Sequence, residues 1–113
     1  MITLRQAVNR SVVLRLKYFP NADGSSRVGW RTVLPLDLWS YRGVQYLLGW
    51  FSDGSSVSGT KGFRMYLVEN IQEFEEAETE VQQPFAMMKK FHAEQKPNWS
   101  VACWMMVKRG KVE

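Results

Sequence analysis

Gly43-Val44-Gln45-Tyr46-Leu47-Leu48-Gly49-Trp50 and Arg64-Met65-Tyr66-Leu67-Val68-Glu69-Asn70-Ile71 are the two runs whose reading decides the fold. Val44 to Phe51 and Phe63 to Phe74 read as strands rich in aromatic and aliphatic residues. Along the second run Arg64 and Tyr66 fall on one face, while Phe63, Met65 and Leu67 take the other. Leu47 and Leu48 are expected to be buried on opposite faces of the first. Between the runs, Ser52 to Gly62 contains three glycines and four serines, a composition suited to a mobile or ligand-ordered loop.

Upstream, Thr3 and Gln6 have the spacing of a capping box, which predicts a short helix from about Leu4 to Arg10. From Val12 to Tyr18 the pattern alternates. Val12, Leu14, Leu16 and Tyr18 face one way, and Arg15 and Lys17 the other, as in a half-buried strand with a cationic outer face. Pro20 to Ser26 is a loop by composition. Trp30 to Leu34 is a second strand halted by Pro35, which has no N–H for a central ladder. Leu38 to Tyr41 is a third, turning at Arg42-Gly43. Five strands joined by turns favour a small closed or nearly closed barrel.

Downstream, Glu73, Glu75, Glu76, Glu78 and Glu80 form one acidic segment. Pro84 can open a helix, Phe85, Met88, Phe91 and His92 recur at helical spacing, and Pro97 ends it. Ser100 to Lys108 alternates weakly and reads as an added strand or packing arm, followed by the basic Lys108-Arg109-Gly110-Lys111. The expected organisation is a barrel over residues 1–80 and an extension over 81–113.

The 113 residues suit one domain with a modest core, and 45% hydrophobic with 13% aromatic content excludes disorder. No apolar run approaches the ~20 residues of a membrane span, and no signal-peptide pattern opens the chain, so no membrane partner is expected. The single Cys103 cannot form an internal disulfide, making the cytoplasm the default location. Net charge is +4, yet setting the acidic segment aside leaves six acidic residues against fifteen Lys and Arg. That surplus suits an anionic partner, and equally suits plain solubility.

Catalysis finds little support. His92 and Cys103 are the only residues of their kinds. They lie in apolar periodic segments, where core or interface roles outweigh a Cys/His dyad. A zinc site would need carboxylates for most ligands, and no glycine-rich phosphate loop opens a helix. The chain reads as a non-enzyme without a cofactor. More suggestive is the interleaving of Arg15, Lys17, Arg31, Arg42 and Arg64 with Tyr18, Tyr46, Trp50 and Tyr66. Cations for phosphates beside flat rings for bases is how small barrels hold single strands. At least half of those rings are expected to be core instead.

Several of these pieces, in this order, resemble the WYL domain, a small Sm-like β-barrel sensor module of bacterial regulators. They are the opening helix with Ala7-Val8, the strand ending in Tyr18, Arg31-Thr32-Val33-Leu34-Pro35-Leu36, Gln45-Tyr46-Leu47 at the eponymous Trp-Tyr-Leu position, and Arg64 to Ile71. The resemblance covers roughly Ile2 to Glu78. It implies a mainly β (α+β) fold, with a five-stranded Sm-like barrel, a short N-terminal helix and a C-terminal helix plus strand or arm. It also implies Tyr46 and Arg64 as ligand contacts. Gln45 stands in place of the name-giving tryptophan. Asn70 stands where the family's ligand-facing set has a second arginine, so it carries over only as a weakened contact. WYL domains usually follow a DNA-binding helix-turn-helix, for which this chain has no room, so a free-standing accessory member is expected.

Two functions follow. The first is a non-catalytic regulatory module binding single-stranded DNA or RNA, or a nucleotide-like anion, through Arg64, Tyr46, Asn70, Arg31, Arg15, Lys17, Tyr66 and Arg42. The second is a protein–protein adaptor, or a homodimer, acting through the Met- and Trp-rich extension by Phe85, Met88, Phe91, Trp99 and Trp104. The alternative for that extension is that it covers the barrel's own open edge.

Overall fold

The capping box forms. The Gln6 N–H donates to Thr3 Oγ1 at 3.1 Å and the Thr3 N–H donates to Gln6 Oε1 at 3.0 Å, starting helix α1 (Leu4–Arg10), whose Ala7 and Val8 are buried. The computed structural model describes residues 2–19, 29–54 and 61–113. The expected Pro20–Ser26 loop and the centre of the Ser52–Gly62 loop lie outside the described residues.

Strands β1 (Leu14–Tyr18), β2 (Gly29–Tyr41), β3 (Val44–Gly54), β4 (Gly62–Leu67) and β5 (Ile71–Glu76) form one antiparallel sheet in the order β4-β3-β2-β1-β5. β4 and β5 are its two edges, yet only the 3-10 turn Val68–Asn70 joins them. In a flat sheet these edges would stand about 19 Å apart, four spacings of about 4.8 Å. The four residue steps from Leu67 to Ile71 span at most about 14 Å, so the sheet has to curl. Among the described residues no ladder joins β4 to β5: the five-stranded sheet expected for a closed or nearly closed barrel is curled but not closed.

Two strand boundaries also differ from expectation. β2 runs unbroken through Pro35, because its ladder with β1 ends at Leu14↔Val33 and its ladder with β3 shifts register between Pro35 and Asp37. The missing N–H thus falls at an irregularity, where a proline is tolerated. The expected single strand Phe63–Phe74 is divided at Val68–Asn70, where the chain leaves β3 to reach β1 on the far side.

Alternation along the strands separates two cores. Leu16, Tyr18, Val33, Leu47 and Tyr66 face inward with Val8 of α1. Leu34, Leu36, Tyr46, Leu48, Met65 and Leu67 face outward, where Phe85, Trp99 and Cys103 cover them. The covering elements are α2 (Thr79–Gln82), α3 (Ala86–Gln95) and α4 (Trp99–Lys108). The strand or arm expected over Ser100–Lys108 is thus a helix. Trp99 and Cys103 stand four residues apart, and Met106 and Val107 continue the same buried stripe.

Gln82 fastens this layer to the sheet. Its amide accepts from the Val13 N–H at 3.0 Å and donates to the carbonyls of Val13 at 2.9 Å and Ala77 at 3.1 Å. After α4 the chain returns to the sheet. Val112 forms a parallel bridge with Met65, and the Glu113 N–H donates to the Met65 carbonyl at 2.8 Å. The edge of β4 is therefore capped at its centre.

Candidate anion-binding site

β2 and β4 each place one arginine on the inner face, Arg31 in line with Val33 and Arg64 in line with Tyr66. Both reach the same carboxylate. Arg64 Nε lies 3.2 Å from one oxygen of Glu113, and Arg31 Nη1 lies 3.9 Å from the other. The Arg31 guanidinium sits 4.9 Å from the Tyr18 ring centre and 5.8 Å from that of Tyr66, while Arg64 lies 5.4 Å from the Phe51 ring. The rings supply apolar walls and negative faces that suit a cation held away from water. The Arg31 side chain is 1% exposed and that of Arg64 17%.

Tyr18 ties β1 to the end of edge strand β4 and to the chain's last residues. Its hydroxyl donates to the Glu113 carbonyl at 2.8 Å and accepts from the Leu67 N–H at 2.9 Å. Burial raises its pKa, against hydrogen bonds from Leu67 and the Asn70 side chain that lower it. Burial raises Tyr66 as well, and its hydroxyl has no hydrogen-bond partner among the described residues. Both phenols stay protonated at neutral pH; Tyr18 serves as a wall and a donor, and Tyr66 as a wall.

The site contains Arg64, Arg31 and Tyr66 from the expected set, with Asn70 at its margin through Tyr18. Tyr46 lies elsewhere. It is buried in the outward core, 5.8 Å from the Trp39 ring, because its neighbour Leu47 takes the inner face. Arg42 occupies the β2–β3 turn over the Tyr41 ring, and Gly49, opposite Arg64, lies five residues beyond Val44, about 17 Å of strand. Arg15 and Lys17 point outward into the acidic segment. Arg15 pairs with Glu75 at 3.6 Å, and Lys17 stands opposite Glu73 in the ladder. Glu75 and Glu73 thus offset part of the basic face that the sequence suggested.

Sequence reasoning left Tyr18 among neighbouring rings and gave Glu113 no role. Tyr18 was accessible through its alternation with Leu16. Glu113 was not, since a lone glutamate after a basic run carries no local signal. In the extension, Phe85 and Trp99, expected at a partner surface, lie in the outward core at 7% and 5% exposure. Met88 is half-buried, and Phe91 and Trp104 are exposed.

Catalytic chemistry gains nothing from the geometry. His92 is packed among Trp50, Phe63, Phe91 and Trp99, with its pKa lowered by burial. Burial pushes the Cys103 thiol up to about 12, so it stays a poor nucleophile at neutral pH. Among the described residues no helix can span a membrane and no acidic, His or Cys cluster could hold a metal ion.

The order of these elements, with an inward arginine on β4 just before the 3-10 turn, agrees with a family comparison in which residues 1–76 match the WYL domain model. The chain belongs to the WYL domain family. WYL domains are generally regulatory, ligand-sensing modules, and not catalytic ones. Searches of curated proteins and of solved structures give no match. The matched span ends at the last residue of β5, so α2 to α4 lie beyond the WYL domain match while sharing its outward core.

Proposed function

We propose that this WYL domain is a non-catalytic regulatory module whose inner-face arginines bind a phosphate of single-stranded nucleic acid or of a nucleotide-like ligand. The observation that supports this reading is the convergence of Arg31 and Arg64, from non-adjacent strands, on a single carboxylate between tyrosine walls. Guanidinium groups suit phosphate oxygens as they suit carboxylates, through charge-assisted hydrogen bonds. Tyr18 and Tyr66 act here as walls of the arginine site. Phe19, exposed next to Tyr18, is the nearest ring in sequence able to stack on a base.

The test is a titration of labelled single-stranded DNA and RNA of mixed sequence at two salt concentrations. Binding is expected to weaken as salt rises, because phosphate contacts release counterions. Arg64→Ala is expected to weaken it about tenfold, a loss of about 1.4 kcal/mol, and to flatten the salt dependence. Unchanged affinity and salt slope in Arg64→Ala would overturn the assignment.

The adaptor reading retains one specific support. Phe63, Phe91, Trp99, Ala102 and Met106 line a groove of ≈ 380 Å³ beside β4, with Phe63 and Phe91 about half exposed. Capture of a protein partner, or a dimer, that is lost in Phe91→Ala while oligonucleotide binding persists would favour it.

A further inference from the structure

The anion that Arg31 and Arg64 hold belongs to the protein itself. We infer that Glu113 is an internal competitor that closes the site until an external polyanion displaces it. This rests on the reading of that site given above.

Four contacts fix Glu113 in place. Its N–H donates to the Met65 carbonyl, its carbonyl accepts from Tyr18, and its two carboxylate oxygens face Arg64 and Arg31. The same residue therefore uses the edge of β4 through its backbone and the inner-face cations through its side chain. An external phosphate cannot take Arg64 Nε and Arg31 Nη1 while the carboxylate stands there. With Glu113 docked, Arg31 is almost wholly shielded, so a ligand that uses both arginines has to move it.

What holds the segment is suited to exchange. Lys111 and Val112 add one backbone bond to Met106, one bridge to Met65 and the packing of one half-buried valine, whereas the helices before them are fixed by large buried rings. Arg31 is shielded from water and needs an anion beside it, so exchanging one anion for another keeps its charge paired, whereas simply removing Glu113 would not. A ligand bringing several phosphates outcompetes a single carboxylate because it gains further contacts along its backbone. The competitor thereby sets a threshold that favours polyanions over isolated acidic groups.

The experiment compares oligonucleotide affinity of the full chain, Glu113→Gln, Glu113→Ala and Glu94→Gln. The last makes the same charge change at an exposed residue of α3 and controls for net charge. Both Glu113 variants should bind at least about fivefold tighter than the Glu94 control. Oligonucleotide should also accelerate hydrogen exchange of the Glu113 amide in the unaltered chain. Salt-sensitive binding that is lost in Arg64→Ala yet equal in both Glu113 variants and the control would overturn the competitor while leaving the site assignment standing. A Glu113 amide that stays protected at saturating oligonucleotide would do the same. Failure of all forms to bind, Glu113→Ala included, would overturn both.

Discussion

The residues after Ala77 dock on the sheet twice, and the two contacts are of opposite kinds. On the outer face, Phe85, Trp99 and Cys103 are buried in one apolar cluster with Leu34, Leu48 and Met65. At the edge of β4, Glu113 reaches over to two arginines through charge. Apolar burial is insensitive to anions and nearly so to moderate salt, since it depends on area removed from water. Ion pairs respond to a competing anion directly, and to salt less where they are shielded as here. One contact is suited to holding the molecule together and the other to being exchanged, so the same segment can be anchored and responsive at once.

The strongest way to break the comparison is at the anchor. Trp99 is 5% exposed and packs edge-on against Phe63 and His92. Trp99→Ala is expected to cost about 3–5 kcal/mol, from lost transfer energy and the cavity left behind. Urea denaturation at two salt concentrations checks this. A loss of similar size at both marks the contact as apolar, and a loss below about 1 kcal/mol would show that the helices contribute little to the fold.

Gln82 gives the next effect in size. Removing its amide in Gln82→Ala leaves the buried Val13 N–H without its side-chain acceptor, although the Val13 carbonyl keeps its bond from the Ala77 N–H. One unsatisfied buried donor costs about 1–3 kcal/mol. The urea midpoint should fall accordingly, with oligonucleotide affinity of the folded protein unchanged. A change in affinity instead would mean that the outer layer and the arginine site are coupled, and the division drawn above would fail.

How much of this was legible follows from the range of each signal. The capping box of Thr3 and Gln6, the alternation that put Arg64 with Tyr66, and the helical spacing of Met88, Phe91 and His92 in α3 are local patterns, and local patterns survive in the fold. The ordered landmarks from Ala7-Val8 to Ile71 identified the family. Other features were decided by tertiary context. Trp99 and Cys103 form a helical stripe that a Trp- and Met-rich run can imitate as a strand. Pro35 is accommodated by a register shift that only the β3 partner reveals. Tyr46 shares a strand with inner-face residues but takes the opposite face, which resemblance alone did not resolve. Glu113 is the extreme case, since it meets Arg31 across 82 positions of chain, and no periodicity links residues so far apart.

The smallest effect sharpens the contrast among arginines. Arg15 lies on the outward face of β1, pairs with Glu75 at 3.6 Å and sits 5.4 Å from the Trp30 ring, with about half of its side chain exposed. An exposed cross-strand pair contributes about 0–1 kcal/mol, and salt reduces that further. Arg15→Gln should therefore shift the urea midpoint barely beyond error. If the site lies between Arg31 and Arg64, the same variant should leave most oligonucleotide affinity intact, because Glu75 and Glu73 already offset the charge on that face. A loss in Arg15→Gln equal to that in Arg64→Ala would mean that the polyanion follows the outer face of β1. The inner-face site would then be one contact among several along a longer path.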